Sequence, residues 1–201
     1  HREFVRCFNK LGFSFDIFTR TDSEYHEEQV KNIIKSLYNK GFIYEKETEE
    51  FYCPKCCDTL DEFGIKEGLC NECNSKVEVR SSNNLFFKLS YFQDYIQNIL
   101  DEEESWRENA IKITKRYLEG GLRDKILTRE INWGIEVPAE GFEDKRVYVW
   151  IDALLAYVTA SKKVIEEKGQ SLEEYWNNEE SRIYLVHGKE NIPFHTRSEE
   201  H

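Results

Sequence analysis

The chain has 201 residues, with 28 Lys and Arg against 39 Asp and Glu for a formal net charge of -11; 39% of it is hydrophobic and 14% aromatic, with 10 Gly and 3 Pro. No apolar run approaches the ~18–20 residues of a membrane span, and the aromatic content excludes collagen-like or low-complexity chains. The acidic balance excludes nucleic-acid binding by bulk charge, leaving that role to local patches, and the length suits one large domain or one domain with an insertion.

The chain opens on His1 and contains no Met. Its first stretch is charged and amphipathic, without a signal-peptide pattern, and the chain reads as an interior segment of a longer protein. Phe4, Phe8 and Leu11 recur at helical spacing ahead of Gly12, predicting a first helix. FSFDIF (13–18) predicts a short strand. Thr21 and Glu24 match a capping box, opening a helix whose apolar face is Val30, Ile33, Ile34, Leu37 and Tyr38 and which Gly41 closes. Phe42-Ile43-Tyr44 predicts another short strand.

From residue 51 to about 80 the periodicity disappears, and cysteine and polar residues dominate. Leu85–Leu89 then predicts a strand, and Tyr91, Phe92, Tyr95, Ile96, Ile99 and Leu100 a helix face. DEEE (101–104) predicts a solvated loop or helix end. Residues 106–118 predict a further helix, broken by Gly120-Gly121. Val147–Ile151 and Arg182–Val186 are β-branched and aromatic runs of the kind buried in parallel sheets. With a helix from 153 to about 168 between them, they predict a right-handed parallel crossover.

Five of the six cysteines lie between 53 and 73. Cys53-Pro-Lys-Cys56 and Cys70-Asn-Glu-Cys73 form two hooks, each able to aim two thiolates at one metal, with Gly64 and Gly68 helping the chain return between them. Four sulfurs close a tetrahedral site, so the spacing predicts structural Zn2+ bound by Cys53, Cys56, Cys70 and Cys73. Disulfides fit poorly without a secretory signal, and a redox Cys-x-x-Cys opens a helix after a strand and does not come twice at knuckle spacing. Cys57 reads as spare and Cys7 as a core thiol.

Ligands bind at strand ends in parallel α/β sheets. Two such ends are expected here, Trp150-Ile151-Asp152-Ala153 and His187-Gly188-Lys189-Glu190. Gly188 permits close backbone approach, Lys189 suits a phosphate and Glu190 a ribose hydroxyl, with His195 five residues beyond. Taken singly, His195 and Lys189 read equally as solvated or structural residues, and Trp150 and Tyr157 as core aromatics.

Four strings together carry a resemblance: 11–56 (LGFSFDIFTRTDSEYHEEQVKNIIKSLYNKGFIYEKETEEFYCPKC), 127–138 (LTREINWGIEVP), 147–160 (VYVWIDALLAYVTA) and 184–196 (YLVHGKENIPFHT). They resemble, in order, segments of the methionyl-tRNA synthetases, class I aminoacyl-tRNA ligases, over almost all of residues 1–196.

The resemblance implies an α/β fold, a partial Rossmann-like nucleotide-binding core interrupted by a small zinc-knuckle insertion. The core is expected over 1–45 and 126–196, the connective insertion over 46–125, and an atypical tail over 197–201. It also implies a cytoplasmic enzyme that joins methionine to ATP and passes the aminoacyl group to its tRNA. ATP with Mg2+, methionine and the methionine tRNA are thus the expected partners.

By position, Trp150, Ala153, Tyr157 and His195 correspond to the methionine side-chain pocket, Gly188 and Glu190 to ATP contacts, and Arg129 and Lys189 to groups beside the phosphates. Ala153-Leu154 replaces the family's usual small-Pro step, and Glu190 replaces its Asp. A fixed Arg and Lys suit the charge that develops on the phosphates, and an aromatic wall suits a thioether.

The family's His-Ile-Gly-His and Lys-Met-Ser-Lys-Ser motifs lie outside these residues, so the segment alone is expected to be inactive. Two other functions are consistent with the same features: a non-catalytic zinc-knuckle module binding tRNA or a protein partner, and a class I synthetase for another hydrophobic amino acid. A parent lacking both ATP motifs favours the first, and amino-acid competition during activation decides the second.

Overall fold

The computed structural model describes residues 1–60, 64–102, 106–178, 180–188, 191–193 and 195. Helix α1 (Arg2–Lys10) ends before Gly12, whose φ of 78° lets the chain turn back. The expected strand at 13–18 does not form. Phe13, Phe15 and Phe18 instead all turn onto Phe8, with ring centroids 5.5, 5.7 and 5.6 Å away. A strand would send alternate side chains to opposite faces, whereas this aromatic pile gathers them on one.

Helix α2 (Glu24–Asn39) starts two positions after the point the capping-box pattern predicts. Ser23 is the N-cap, and its hydroxyl accepts from the His26 amide. Gly41, at φ 77°, closes it as expected. The strand expected at 42–44 is far longer: β1 (Ile43–Cys53) pairs antiparallel with β5 (Glu78–Phe87) from Ile43↔Phe87 to Tyr52↔Glu78. Between them lie the short strands β2 (Asp58–Leu60), β3 (Ile65–Lys66) and β4 (Leu69–Cys70). The arm is polar along most of its length, with Glu45, Glu47, Glu49 and Glu50 interleaved through β1, which hides it from a search for apolar runs.

A 3-10 turn (Leu89–Phe92) leads into α3 (Gln93–Glu102), and α4 (Glu108–Glu119) follows. Asp101 and Glu102 of the acidic run end α3, while its remaining residues lie outside the described set. These helices enclose a core of Leu89, Ile96, Leu100, Leu118 and Leu122.

Strand β6 (Lys125–Ile126) joins the edge of β5, giving the sheet order β2-β1-β5-β6. Strands β7 (Thr128–Arg129) and β8 (Arg146–Val147) form a separate antiparallel pair. The larger core lies beneath them: Val30, Ile34, Ile43, Leu85, Leu127, Ile135, Val137, Phe142 and Val147. Each such side chain contributes about 1.5–3 kcal/mol when withdrawn from water.

The parallel crossover expected over 147–186 is not found. Helix α5 (Val149–Glu167) begins two residues after β8, and α6 (Leu172–Trp176) follows. Trp150 and Ile151, read as strand residues, are therefore helical. Ile151 and Leu155, one turn apart, pack against the core, and Asp152 in the first turn favours the positive end of the helix dipole. Residues 182–186 belong to no helix or strand, with Tyr184 86% and Val186 97% exposed. Among the described residues every strand pairing is antiparallel, so this run has no parallel neighbour to join. The fold is a mixture of helices and strands, and among the described residues no helix is long and apolar enough to cross a membrane. The 197–201 tail lies outside the described residues.

A buried polar knot pins the long arm to the β7–β8 pair. The Asn84 side chain, 1% exposed, accepts from Thr128 Oγ1 at 2.7 Å and Lys145 Nζ at 2.9 Å. Its amide donates to Glu50 Oε1 at 2.6 Å and Thr48 Oγ1 at 3.1 Å. Burial pushes the Lys145 amine below its ordinary value, against the opposing charges of Glu50, Glu130 and Asp144. An unmet buried polar group costs about 1–3 kcal/mol. Asn84→Ala, which strips partners from Lys145 and Thr128 together, is expected to lower the unfolding free energy by about 2–4 kcal/mol. Urea titration checks this, and a loss below about 0.5 kcal/mol would rank the knot with ordinary surface contacts.

Candidate functional site

Two groups of residues stand out, one at the tip of the β1–β5 arm and one around the N-terminal half of α5. At the tip, Cys53 ends β1 and Cys70 ends β4, both fully buried, while Cys56 and Cys73 lie in the turns that follow. The residue after each hook, Cys57 at φ 53° and Asn74 at φ 54°, takes the left-handed conformation. That conformation bends the chain back, so that the Cys56 amide donates to Cys53 Sγ at 3.4 Å and the Asn74 amide to the Cys70 carbonyl at 2.8 Å. Cys57 therefore serves the turn; its thiol lies outside the cluster.

The four sulfurs lie within 4.8 Å of one another, with Cys53–Cys73 at 3.4 Å and Cys56–Cys70 at 3.9 Å. All are free thiols rather than disulfides. A tetrahedral ion with ~2.3 Å metal–sulfur bonds sets its sulfurs roughly 3.8 Å apart, so the cluster has the dimensions to hold one metal ion.

The electrostatics fit as well. Hydrogen bonds from Ser75, through its hydroxyl and then its backbone, bring the Cys73 thiol down to about 6, while hydrogen bonding to Cys73 and Cys53 pushes Cys56 well up. Four thiolates this close repel one another unless a cation sits among them. Among the described residues between 54 and 77, Cys70 alone is buried. Apolar burial therefore does not hold this knuckle together, and ligation would.

At α5, about 100° of rotation per residue places Trp150, Ala153 and Tyr157 on one face. Trp150 is 40% and Tyr157 41% exposed, so this face is open. His195, 7% exposed, backs it: Tyr157 Oη donates to His195 Nε2 at 3.1 Å, and His195 Nδ1 donates to the Asn191 carbonyl at 2.8 Å. Both ring nitrogens are thereby used by the neutral imidazole. Burial holds the His195 pKa below its usual value despite the Asn191 carbonyl, and the charge of nearby His187 adds to this.

Arg129 stands at the start of the same helix, its guanidinium 4.8 Å over the ring of Tyr148, the N-cap of α5. Gly188 lies outside any helix or strand, and its carbonyl accepts from His187 Nδ1 and from the Asn191 amide, each at 3.0 Å. Lys189 and Glu190 lie outside the described residues. The fold thus brings Trp150, Ala153, Tyr157 and His195 together, with Arg129 at the helix head and Gly188 three residues before Asn191.

Two contributors escape a reading of the sequence. His187 stacks on His195 with centroids 3.9 Å apart and planes at 22°; its neighbour Gly188 was the visible signal. His26, 3% exposed, contacts Asp152 Oδ1 at 2.5 Å and Thr159 Oγ1 at 2.7 Å. Its spacing was a usable clue, since His26, Val30 and Ile34 recur every fourth residue on the buried face of α2.

The family model described as tRNA synthetases class I (M) matches residues 1–77 and 53–198. Methionine–tRNA ligase 1 of Alkaliphilus oremlandii (strain OhILAs) is 45% identical over 98% of this chain, and methionine–tRNA ligase of Bacillus cereus (strain B4264) is 38% identical over 98%. The chain spans 42% of the length of each. The crystal structure of Mycobacterium tuberculosis methionyl-tRNA synthetase bound by methionyl-adenylate matches with a TM-score of 0.73 at 26% identity, over 98% of this chain and 39% of that one. The apo form of the same enzyme matches with a TM-score of 0.69. By sequence and by fold, the chain belongs to the class I (M) tRNA synthetases.

Proposed function

We propose that this chain forms part of a cytoplasmic methionine–tRNA ligase, carrying its methionine side-chain pocket and its structural zinc. The observation that carries the reading is the α5 face: Trp150, Ala153 and Tyr157 in line, with His195 hydrogen-bonded behind Tyr157 at 3.1 Å. The methionine thioether is soft and apolar, and such a wall gives it polarisable contact. His195 is spent on Tyr157 and Asn191, so it shapes the wall and takes no proton.

In the first step a methionine carboxylate oxygen attacks the α-phosphorus of ATP. The bond to pyrophosphate breaks and methionyl-adenylate forms. Arg129, at the head of α5, and Lys189 supply positive charge where the phosphates gain negative charge; Gly188 lets the backbone approach, and Glu190 accepts from a ribose hydroxyl. In the second step the 3′-terminal adenosine of the methionine tRNA takes the aminoacyl group and AMP leaves. Residues 1–45 and 126–196 would serve the catalytic core and 46–125 the connective insertion. Zn2+ at Cys53, Cys56, Cys70 and Cys73 would hold the insertion's tip, with no open position for catalysis.

The full-length protein is expected to catalyse methionine-dependent ATP–pyrophosphate exchange. Trp150→Ala should raise the KM for methionine roughly 10–100-fold and leave that for ATP within about twofold. Exchange driven equally by leucine or valine would overturn the methionine assignment. Native mass spectrometry should find one zinc per chain, absent in Cys53→Ser, whose tip should become protease-sensitive. Isolation with disulfides at these positions would refute the metal.

The Tyr157–His195 bond has a pH signature. The lowered pKa of His195 means that the stability it lends is complete above the ordinary histidine value of about 6.5. That stability is lost as pH falls through the lower folded value. NMR titration of the His195 ring should show the shift, and Tyr157→Phe should weaken the acid-side transition.

A further inference from the structure

We infer that His26 is a positioning residue for the substrate pocket: from the back of α5 it fixes the turn of helix whose front carries Trp150, Ala153 and Tyr157. The inference rests on the pocket reading above. Rotation of about 100° per residue puts Asp152, Leu155 and Thr159 on the face opposite Trp150, Ala153 and Tyr157. Leu155 packs into the main core, and Asp152 and Thr159, seven residues apart, both meet one imidazole. His26 thus grips α5 across two turns.

Both nitrogens of the ring are engaged. His26 Nδ1 and Thr159 Oγ1 share a hydrogen bond at 2.7 Å. The Asp152 carboxylate accepts from Nε2–H at 2.5 Å. The contact is therefore charge-assisted, and it is withdrawn from water, with the His26 side chain 4% and that of Asp152 14% exposed.

The opposite end of the grip is fixed too. His26 lies in the first turn of α2, whose Ser23 cap accepts from the His26 amide, and Val30 and Ile34 behind it are fully buried. The other polar ties between the two helices lie further along α5: Lys162 to Gln29 at 2.5 Å and Tyr25 to Glu166 at 3.0 Å. At its head α5 is also held by the Tyr148 amide, which donates to the Leu127 carbonyl at 2.7 Å, and by the Arg129 guanidinium over the Tyr148 ring. The His26 bonds add a polar restraint on the rotation of α5 at the turn where Trp150 and Ala153 stand. A slack pocket wall would weaken methionine binding while leaving the phosphate side intact, which distinguishes positioning from general destabilisation.

The test uses the full-length protein and three variants: His26→Ala; Thr159→Val, which removes the hydroxyl at nearly constant volume; and His26→Gln, which restores a donor toward Asp152. In methionine-dependent ATP–pyrophosphate exchange, His26→Ala is expected to raise the KM for methionine about tenfold and Thr159→Val about threefold, with that for ATP changed less than about twofold. His26→Gln should return the methionine value to within about threefold of the parent. Amide exchange across 149–158 should quicken in His26→Ala and Thr159→Val. Folded variants whose methionine KM and α5 exchange stay at the parent's values overturn the proposal, as does a parallel rise of both KM values. If the parent protein fails to activate methionine, the pocket reading falls. The exchange rates then decide the grip by themselves, with faster α5 exchange upholding it and unchanged rates refuting it.

Discussion

The antiparallel ladder between β1 and β5 is the constraint on which the rest of the chain depends. It pairs ten positions, from Ile43↔Phe87 at the root to Tyr52↔Glu78 near the tip. At the root, Ile43 and Leu85 belong to the main core with Val30 and Ile34 of α2, so the ladder starts where the helices are anchored. At the tip it delivers Cys53 to the other three sulfurs. Between the ends no apolar core supports it; the Asn84 knot does, through Thr128 and Lys145 beside the β7–β8 pair. Arg80 adds a second tie, lying 3.4 Å over the Tyr52 ring and 2.5 Å from Glu130, the neighbour of Arg129.

The two candidate regions are therefore built on different physics. The α5 face is a product of packing: Ile151 and Leu155 seat the helix, and buried polar contacts on its back set its rotation. The cysteine tip has almost nothing to pack and is suited to ligation. Binding free energy for a structural metal, about 10–16 kcal/mol in small domains, exceeds what a few half-buried side chains supply. A metal held there would, on removal, act on the arm before it acts on α5.

Much of this was legible in the sequence where a local rule decides the outcome. The hooks at 53–56 and 70–73 are set by turn geometry over a few residues, and the structure gathers those same sulfurs. The α2 face and the stops at Gly12, Gly41, Gly121 and Gly169, all at positive φ, follow from helical spacing and glycine's freedom. What was not legible is decided by partners. Val147–Ile151 looks like a buried strand by composition, yet Ile151 and Leu155 reach the core only from a helix. The run at 182–186 has strand composition but, among the described residues, pairs with no strand. The polar β1 arm lacks the apolar alternation of a half-buried strand, because its partner β5 meets it with Arg80, Ser81, Ser82, Asn83 and Asn84. The grip of His26 on Asp152 joins residues 126 positions apart, which no local pattern encodes.

The long ladder also ties the cysteines to alignment. Side chains on a strand alternate faces every residue, and a slip of one position displaces the chain by about 3.3 Å while reversing which side each residue faces. Such a slip would carry Cys53 away from Cys73, now 3.4 Å from it, and would equally pull Asn84 off Thr128 at the arm's middle. Four sulfurs can close around a common centre only when the ladder is in its one native alignment. The tip therefore rewards correct strand pairing over the whole length of the arm, acting as a register lock set far from the residues it keeps in line.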